Sequence, residues 1–283
     1  MNKLDILQNF KSDLLKLEPF PYFEIKNAVP KKIYQELKKD FYIFENIFNS
    51  DNNIKKNNVR LQINSEAIFN NEEKFKSNIW YDFVSYHTSK EFFNRLIEIF
   101  GDQIYKIYPH TKLLIEKNKN KKNFLNYRSL ENLNKFDFVS DCQPGINTPV
   151  EYLSSVRGPH VDNPVELIGG LFYLRDEDDK SDGGDLLIYD TDEKIYFKNK
   201  AEVENIKNLK LVQTIKYSAN QCVFFLNSKK SIHAVTARTK TQYKRYLTNI
   251  IIERYNNNNK FFKLDRKYNL IKKIFNKILN SKK

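Results

Sequence analysis

The sequence predicts an α+β protein in which an N-terminal part with helices supports a C-terminal region of short β-strands. Within the first 135 residues, apolar side chains recur at helical spacing, whereas from Phe136 onward short apolar runs alternate with turn residues. Many short strands at this spacing are typical of a sandwich, jelly roll or barrel. The chain has 283 residues and no internal repeats, so we expect both parts to form one cooperative unit.

The N-terminal part contains one predicted strand and two well-marked helices. PFPYFEIKNAV (19–29) has the composition of a strand, and Pro30 is placed to begin a helix through KKIYQELKKDF. A second helix is predicted to begin at Thr88, with a glutamate three residues later completing a capping box, and to end at Gly101. The stretch 112–134 is rich in Lys and Asn, and we expect a loop there.

The C-terminal region contains seven predicted strands separated by turn signals. They are FDFVSDC (136–142), ELIGGLFYLR (166–175), DLLIYD (185–190), KLVQTIKY (210–217), QCVFFLN (221–227), SIHAVTA (231–237) and RYLTNIIIER (245–254). Gly183 and Gly184 lie between two of them and are predicted to serve a turn and a close approach. We therefore divide the chain into a supporting region (1–135), a strand-rich core (136–255) and a C-terminal tail (256–283).

The tail carries most of the basic charge. The whole chain has 48 Lys and Arg against 35 Asp and Glu, a net charge of +13, and residues 256–283 alone contribute nine Lys or Arg and one acid, or +8. The remaining +5 gives no reason to expect a specific nucleic-acid partner. Apolar residues recur in the tail at helical intervals and predict a basic amphipathic helix; they are Leu264, Tyr268, Ile271, Phe275 and Ile278. Such a helix packs on the domain or contacts an anionic membrane or partner.

The remaining composition points to a cytoplasmic protein. No run of eighteen apolar residues occurs, and the N-terminal stretch MNKLDILQNFKSD lacks the apolar core of a signal peptide. The two cysteines, Cys142 and Cys222, have neither metal-site spacing nor a disulfide framework, so we expect buried thiols in a reducing compartment.

The stretch RGPHVDNP (157–164) places an imidazole and a carboxylate two residues apart. On a β-strand such residues point to the same side, so His160 and Asp162 would supply two of the three ligands of a metal site. Of the other histidines, only His233 lies in the strand-rich half, and it is the favoured third ligand. Two imidazoles and one carboxylate form the facial triad of non-haem Fe(II) oxygenases.

Plainer interpretations of these residues stay open at this point. His160 and Asp162 would also fit a surface turn before Pro164, and His233 would also fit a hydrogen-bonded core histidine. His87 and His110 are expected to be structural. Arg157 is interpreted equally well as lining the mouth of a pocket and as an ordinary surface arginine.

Beyond the H-x-D motif, the order of six sequence blocks resembles the 2-oxoglutarate/Fe(II)-dependent dioxygenases, specifically the prolyl 4-hydroxylase-like branch. The blocks are HVDNP (160–164), LFYL (171–174), GGDLLIYD (183–190), CVFFLN (222–227), SIHAV (231–235) and RYLTNI (245–250). The resemblance extends over about 20–255. It implies a double-stranded β-helix (jelly roll, cupin-like) as the core, and His160, Asp162 and His233 as the iron ligands.

The same resemblance assigns the co-substrate site. It makes Arg245 the cation that pairs with the distal carboxylate of 2-oxoglutarate, and Tyr173 the hydroxyl donor to that carboxylate. A planar guanidinium suits this task because it binds a carboxylate through two parallel hydrogen bonds. Arg245 lies twelve residues after the second histidine, farther than is usual, so Arg238 and Lys240 are alternatives.

The implied activity is the hydroxylation of a C–H bond with release of succinate and CO2. The implied cofactor is Fe(II), with 2-oxoglutarate and O2 as co-substrates and ascorbate as a further candidate. A peptidyl proline, another peptide side chain, a small metabolite, a sugar and a nucleobase are all candidate substrates. The alternative is a non-catalytic double-stranded β-helix that binds a metal or ligand, although the combination of three ligands with Arg245 favours the enzyme.

Overall fold

The structure, a computed structural model, describes residues 2–255 and 260–266. The helices are α1 (Lys31–Asp40), α2 (Tyr42–Phe48), α3 (Ser65–Phe69), α4 (Glu72–Phe75), α5 (Ile79–His87), α6 (Lys90–Ile107) and α7 (Pro109–Asn118). The strands are β1 (Tyr22–Lys26), β2 (Arg60–Gln62), β3 (Leu125–Tyr127), β4 (Phe138–Asn147), β5 (Glu166–Leu174), β6 (Leu186–Asp190), β7 (Lys210–Ile215), β8 (Ala219–Leu226), β9 (His233–Val235) and β10 (Arg245–Glu253).

These strands form two sheets that pack face to face. The main sheet has the order β1-β8-β5-β10-β4-β2, with β3 parallel to β4, and the second sheet has the order β7-β6-β9. Apolar side chains of both sheets are buried together, among them Val223 and Leu247 from the main sheet and Ile188 and Ile215 from the second. The two sheets therefore share one apolar core between their facing sides.

The helices cover the outer face of the main sheet. Phe83 of α5 stacks on Phe172 of β5 with 5.6 Å between ring centroids, and Phe92 of α6 lies 6.0 Å from Phe224 of β8. All four rings are fully buried. Because this face is filled by aromatic side chains, the opposite face of the same strands is the one left to line a site.

Two predictions about the N-terminal helices are wrong in detail. The N-cap of α6 is Ser89, whose hydroxyl accepts from the amide of Phe92, whereas Thr88 donates its hydroxyl to the carbonyl of Val84. The helix also continues past Gly101 to Ile107, because the apolar stripe continues beyond the glycine and packing overrides its low helix propensity. The predicted loop at 112–134 contains the end of α7 and all of β3.

Most strands of the core lie close to their predicted positions, with shorter ends for β7 and β9. The prediction for β4 is wrong at its end, because the strand continues five residues past Cys142 to Asn147. Strands β2 and β3 lack an alternating pattern and were not predicted, yet with β1 they add three strands from the first 135 residues to the main sheet. The division of the chain into three regions stays a prediction. Among the described residues, no helix combines the length and apolar character needed to cross a membrane.

Gly170 on β5 offers a test of how tightly helices and sheet are packed. A Cβ at this position would lie 2.2 Å from the ring of Phe224, which is fully buried, so Gly170→Ala should lower the free energy of unfolding by about 1–3 kcal/mol. Gly101→Ala is the matched control, because its Cβ would meet nothing closer than 3.8 Å and alanine favours a helix. Urea unfolding of both variants checks this, and an unchanged Gly170→Ala protein would contradict the packing.

Candidate active site

His160 and His233 lie side by side because their backbones pair directly. The amide of each donates to the carbonyl of the other, with both distances 2.9 Å. In a reciprocal antiparallel pair of this kind, the two side chains leave the same face. The imidazole centroids are 4.2 Å apart, and both side chains are buried.

Each imidazole is oriented by a backbone carbonyl two residues before it. Nδ1 of His160 lies 2.7 Å from the oxygen of Gly158, and Nδ1 of His233 lies 2.8 Å from the oxygen of Ser231. Because a carbonyl only accepts, each Nδ1 carries the hydrogen and each Nε2 keeps a free lone pair. Both Nε2 atoms point toward Oδ1 of Asp162, at 3.6 Å and 3.7 Å.

Asp162 completes the cluster as an ionised carboxylate. Although burial favours the neutral acid, the protonated forms of the His233 and His160 imidazoles and the guanidinium of Arg157 favour the carboxylate and lower the pKa of Asp162 below its usual range. Nη1 of Arg157 lies 3.4 Å from Oδ1. Gly169 on β5 leaves room for the carboxylate, since a Cβ there would lie 3.2 Å from Oδ2.

The H-x-D pair does not lie on a regular strand, contrary to prediction. His160 forms isolated bridges only, and residues 161–163 have no regular structure before the chain turns at Pro164 into β5. The predicted side-chain arrangement nevertheless holds, because the segment is extended. Val161 faces away into a separate apolar cluster, while His160 and Asp162 contact each other.

The donor set fits a ferrous ion. One ligand atom from each of His160, Asp162 and His233 lies within 4.8 Å of the others. Burial, reinforced by repulsion from the neighbouring imidazole, lowers the pKa of His233 to about 4, so this side chain is neutral, as a metal ligand must be. All three residues line a cavity of about 390 Å³, which gives small molecules access to the cluster.

Arg245 on β10 is a buried cation with no carboxylate partner among the described residues. Its Nε donates to the carbonyl of Gly184 at 3.1 Å and its Nη1 to Oδ1 of Asn147 at 3.3 Å. The guanidinium lies 5.1 Å from the ring centroid of Tyr173 and 4.8 Å from that of Tyr217. A buried cation without a counter-charge is costly, so this pocket suits an anionic ligand.

Three buried donors in this pocket lack an acceptor in the described structure: Nη2 of Arg245, the hydroxyl of Tyr173 and Nδ2 of Asn147. Arg245 lies opposite Asn147, and Tyr173 lies opposite Leu247, which is two residues farther along β10. All three side chains therefore leave the same face of the main sheet. Unpaired buried donors on one face are what a bound carboxylate would satisfy.

Of the two alternatives to Arg245, one is hydrogen-bonded to backbone carbonyls and the other is exposed. Arg238 is buried, but its guanidinium nitrogens donate to the carbonyls of Thr148 at 3.2 Å and Tyr243 at 2.7 Å. Lys240 is exposed in the loop between β9 and β10. The same loop accounts for the long interval between His233 and Arg245.

Gly183 and Gly184 serve a turn and a close approach, as predicted. Both have positive φ, 90° and 81°, which favours glycine. A Cβ at Gly183 would lie 1.9 Å from the carbonyl oxygen of Ala237, and one at Gly184 would lie 3.0 Å from Nε of Arg245. The pair therefore lets the turn before β6 reach the arginine pocket.

A row of polar side chains beside the cluster was not predicted from the sequence. Arg60 Nη1 donates to Asn249 at 3.2 Å, and Asn249 Nδ2 donates to Gln62 at 3.3 Å. Gln62 Nε2 donates in turn to Gln143 at 2.7 Å, and Gln143 Nε2 donates to Asp141 at 2.6 Å. We call these five residues the amide row; Arg60, Gln62, Gln143 and Asn249 line the 390 Å³ cavity.

The amide row begins at a partly desolvated cation. Burial, together with repulsion from Arg245, lowers the pKa of Arg60 to about 10. Asn249 could have been predicted from the sequence, because it lies four residues after Arg245 on the same strand and hence on the same face. Arg60 and Gln62 were not, because a strand of three residues shows no periodicity.

The two other histidines lie away from the cluster. His87 is buried in the aromatic layer between helices and sheet, where Nδ1 contacts the carbonyl oxygen of Phe83 at 2.7 Å and burial lowers the pKa to about 3. His110 is exposed on α7. Arg157 lines the cavity mouth, which answers the question that its sequence context left open.

Only part of the predicted basic tail is described. Residues 260–266 lie against the core, and Leu264 packs beside a buried apolar cluster. The other apolar positions of the predicted amphipathic helix, from Tyr268 to Ile278, lie outside the described residues.

A known protein family matches the segment of the chain that contains the metal-ligand cluster and the arginine pocket. Residues 150–253 match the 2OG-Fe(II) oxygenase superfamily. That segment includes His160, Asp162, Tyr173, His233 and Arg245. Over this segment, the resemblance inferred from the sequence is confirmed, and the matching family is one of oxygenases that use Fe(II) and 2-oxoglutarate. No curated protein matches the chain.

Solved structures are similar to this fold. A prolyl 4-hydroxylase from Phytophthora capsici has a TM-score of 0.52 at 12% identity, covering 91% of this chain and 68% of its own. A prolyl 4-hydroxylase from Pseudomonas putida has a TM-score of 0.40 at 12% identity, and the match covers 89% of this chain and 97% of that one. A viral collagen prolyl hydroxylase from Paramecium bursaria Chlorella virus-1 has a TM-score of 0.35 at 12% identity, and the match covers 82% of this chain and 95% of that one. The first likeness confirms the predicted fold, a prolyl hydroxylase-like double-stranded β-helix.

Metal binding tests the cluster directly. Fe(II), or Mn(II) as a redox-stable probe, should bind the wild-type protein and raise its unfolding temperature. His233→Ala should weaken binding by more than about a hundredfold, because even residues that only orient metal ligands contribute about ten- to a hundredfold. His110→Ala, which removes an exposed imidazole, is the control. A His233→Ala protein that binds metal as the wild type does would exclude this cluster as the site.

Proposed function

We propose that the protein is a 2-oxoglutarate- and Fe(II)-dependent dioxygenase that hydroxylates a C–H bond of its substrate and releases succinate and CO2. The observation that carries this proposal is the joint presence of a His-Asp-His cluster and a buried arginine that has no carboxylate partner among the described residues. A metal-binding module without chemistry would need the first feature but not the second.

In this proposal His160, Asp162 and His233 hold the metal. The carbonyls of Gly158 and Ser231 keep each Nε2 available, and Asp162 supplies the negative charge that a divalent cation requires. When bound, Fe(II) with 2-oxoglutarate supplies the oxidation of a substrate C–H bond by dioxygen. The protein contributes the orientation of the ligands and a partly closed cavity.

Arg245 and Tyr173 hold the distal carboxylate of 2-oxoglutarate. Arg245 offers Nη2 and Tyr173 its hydroxyl, both buried and without a partner among the described residues. The contacts of Nε and Nη1 with Gly184 and Asn147 fix the guanidinium plane in advance, so little side-chain freedom is lost on binding.

Asp162 favours hydroxylation over halogenation. A carboxylate at this ligand position occupies a coordination site that a halide would need and neutralises part of the charge of the metal. Candidate substrates include a peptidyl proline or another peptide side chain, by analogy with the prolyl 4-hydroxylase from Phytophthora capsici, and a small metabolite or sugar. Ascorbate dependence and a cytoplasmic location stay predictions.

The deciding experiment is aerobic incubation with Fe(II) and 2-oxoglutarate, with and without a library of metabolites and peptides, while succinate is measured. We expect succinate to form and a true substrate to increase it. Binding of Fe(II) and 2-oxoglutarate with no succinate under any condition would instead support the non-catalytic binding module.

Removal of the guanidinium tests the co-substrate site. Arg245→Ala should weaken 2-oxoglutarate binding by on the order of 3 kcal/mol, roughly a hundredfold, because a buried carboxylate loses its counter-charge. Metal affinity should not change. Lys240→Ala is the control and also tests the alternative cation. If Arg245→Ala leaves 2-oxoglutarate affinity unchanged, the role passes to Arg238 or Lys240.

The product distinguishes hydroxylation from halogenation. In chloride buffer under heavy-oxygen-labelled dioxygen, mass spectrometry should show a product heavier by one oxygen atom, with the label taken from dioxygen and the second labelled atom in succinate. Asp162→Gly should abolish hydroxylation because it removes the anionic ligand. A chlorinated product from the wild-type protein, or full hydroxylation by Asp162→Gly, would contradict the role of this carboxylate.

A further inference from the structure

A second cavity, of about 690 Å³, adjoins the one that holds the metal-ligand cluster. Its wall includes the carboxylate of Glu166 and five basic side chains: Arg157, Lys200, Lys260, Lys263 and Arg266. We call it the basic cleft. Arg157 and Glu166 line both cavities, so a ligand in the basic cleft would lie next to the space in front of the cluster.

The segment 260–266 is fixed in place to form one wall of the basic cleft. Phe262 is 9% exposed and packs in an apolar cluster with Val161, the residue between the two ligands of the H-x-D pair. The amide of Phe261 donates to the carbonyl of Pro164 at 2.8 Å. Burial and hydrogen bonding therefore set the position of the basic residues in this segment.

The opposite wall is formed by a constrained turn at Lys200 and Ala201. Both residues have left-handed backbones, with φ of 57° and 59°. Arg157 Nη2 donates to the carbonyl of Lys200 at 3.0 Å, and the amide of Val161 donates to that of Ala201 at 3.2 Å. The turn is thus tied directly to the residues of the cluster, and such backbone strain persists only where surrounding contacts hold it.

Four of the five basic side chains of the basic cleft have no carboxylate partner among the described residues, whereas Arg157 is paired with Asp162. Lys200, Lys260 and Lys263 form no ion pair with any described carboxylate, and Arg266 donates to the amide oxygen of Asn199 at 3.3 Å. Like charges collected around one concave space repel one another and raise the local concentration of anions.

We propose that the basic cleft binds the phosphate group of a small substrate and so places an adjoining C–H bond at the cluster. This inference rests on the proposed oxygenase function and narrows its substrate to phosphate-bearing molecules. The cavity volume is in the range of small-molecule sites, about 300–1,000 Å³. Lysines and a forked guanidinium suit phosphate oxygens, and the four cations without a carboxylate partner exceed what one carboxylate ligand would need.

Calorimetric titration of the metal-free, full-length protein with inorganic phosphate tests the cleft without any turnover. The combined variant Lys200→Gln, Lys263→Gln, Arg266→Gln should bind phosphate about tenfold more weakly, because each exposed ion pair contributes a modest amount. Added salt should weaken wild-type binding. The control removes three exposed lysines outside the cleft, through Lys32→Gln, Lys55→Gln and Lys121→Gln, and should leave affinity unchanged.

Two results would overturn the assignment: wild-type protein that does not bind phosphate, or equal weakening in the cleft and control variants. Circular dichroism establishes that both variants fold, and Lys263→Glu alone is the fallback, since it reverses one exposed charge and should also weaken binding.

Matched ligands then separate the sources of the phosphate. Glycerol phosphate should bind and glycerol should not. Vesicles of phosphatidylcholine with phosphatidylglycerol test a lipid headgroup, and binding to vesicles without binding to glycerol phosphate would contradict a small substrate, as would preference for an acidic peptide. Succinate formation without phosphate binding would refute the proposed role of the basic cleft and leave the proposed oxygenase activity intact. Phosphate binding without succinate formation would refute the oxygenase activity and leave phosphate binding by the cleft intact.

Discussion

The geometry of the site depends on the two reciprocal hydrogen bonds between the backbones of His160 and His233. Neither residue lies in a long strand, yet this pairing sets the separation of the imidazoles and the direction in which both leave the backbone. The pairing also sets the directions of the next two side chains. Val161 points into an apolar cluster, and Asp162 points toward the two imidazoles. A change of register by one residue would reverse these positions and destroy the site.

The main sheet supports this arrangement because its outer face packs against aromatic side chains while its inner face lines the candidate site. Gly169 and Gly170 show the separation at its narrowest point, because the first leaves space for the carboxylate of Asp162 and the second leaves space for the ring of Phe224 on the outer face. On the outer face, close aromatic packing resists deformation. On the inner face, unpaired donors such as those of Arg245 are kept away from solvent and ready for an anion.

The residues of the candidate site that can be picked out from the sequence are those with a short-range pattern. The spacing of His160 and Asp162 and the position of His233 in the strand-rich half are visible in one dimension, and the structure brings these residues together. Arg60 is different, since it reaches the site only through pairing of a three-residue strand with β4. The packing of 260–266 likewise depends on a tertiary surface that no local periodicity encodes.

The amide row has a consequence for how this protein can change over time. Each member from Arg60 through Asn249, Gln62 and Gln143 donates to the next, and the last donates to Asp141, so every link has a direction. Replacing Asn249, Gln62 or Gln143 removes one hydrogen bond that the residue accepts and one that it donates. Divergence toward a differently shaped substrate along this wall would therefore change two hydrogen bonds with each substitution of a middle residue, so neighbouring positions of the row are expected to change together.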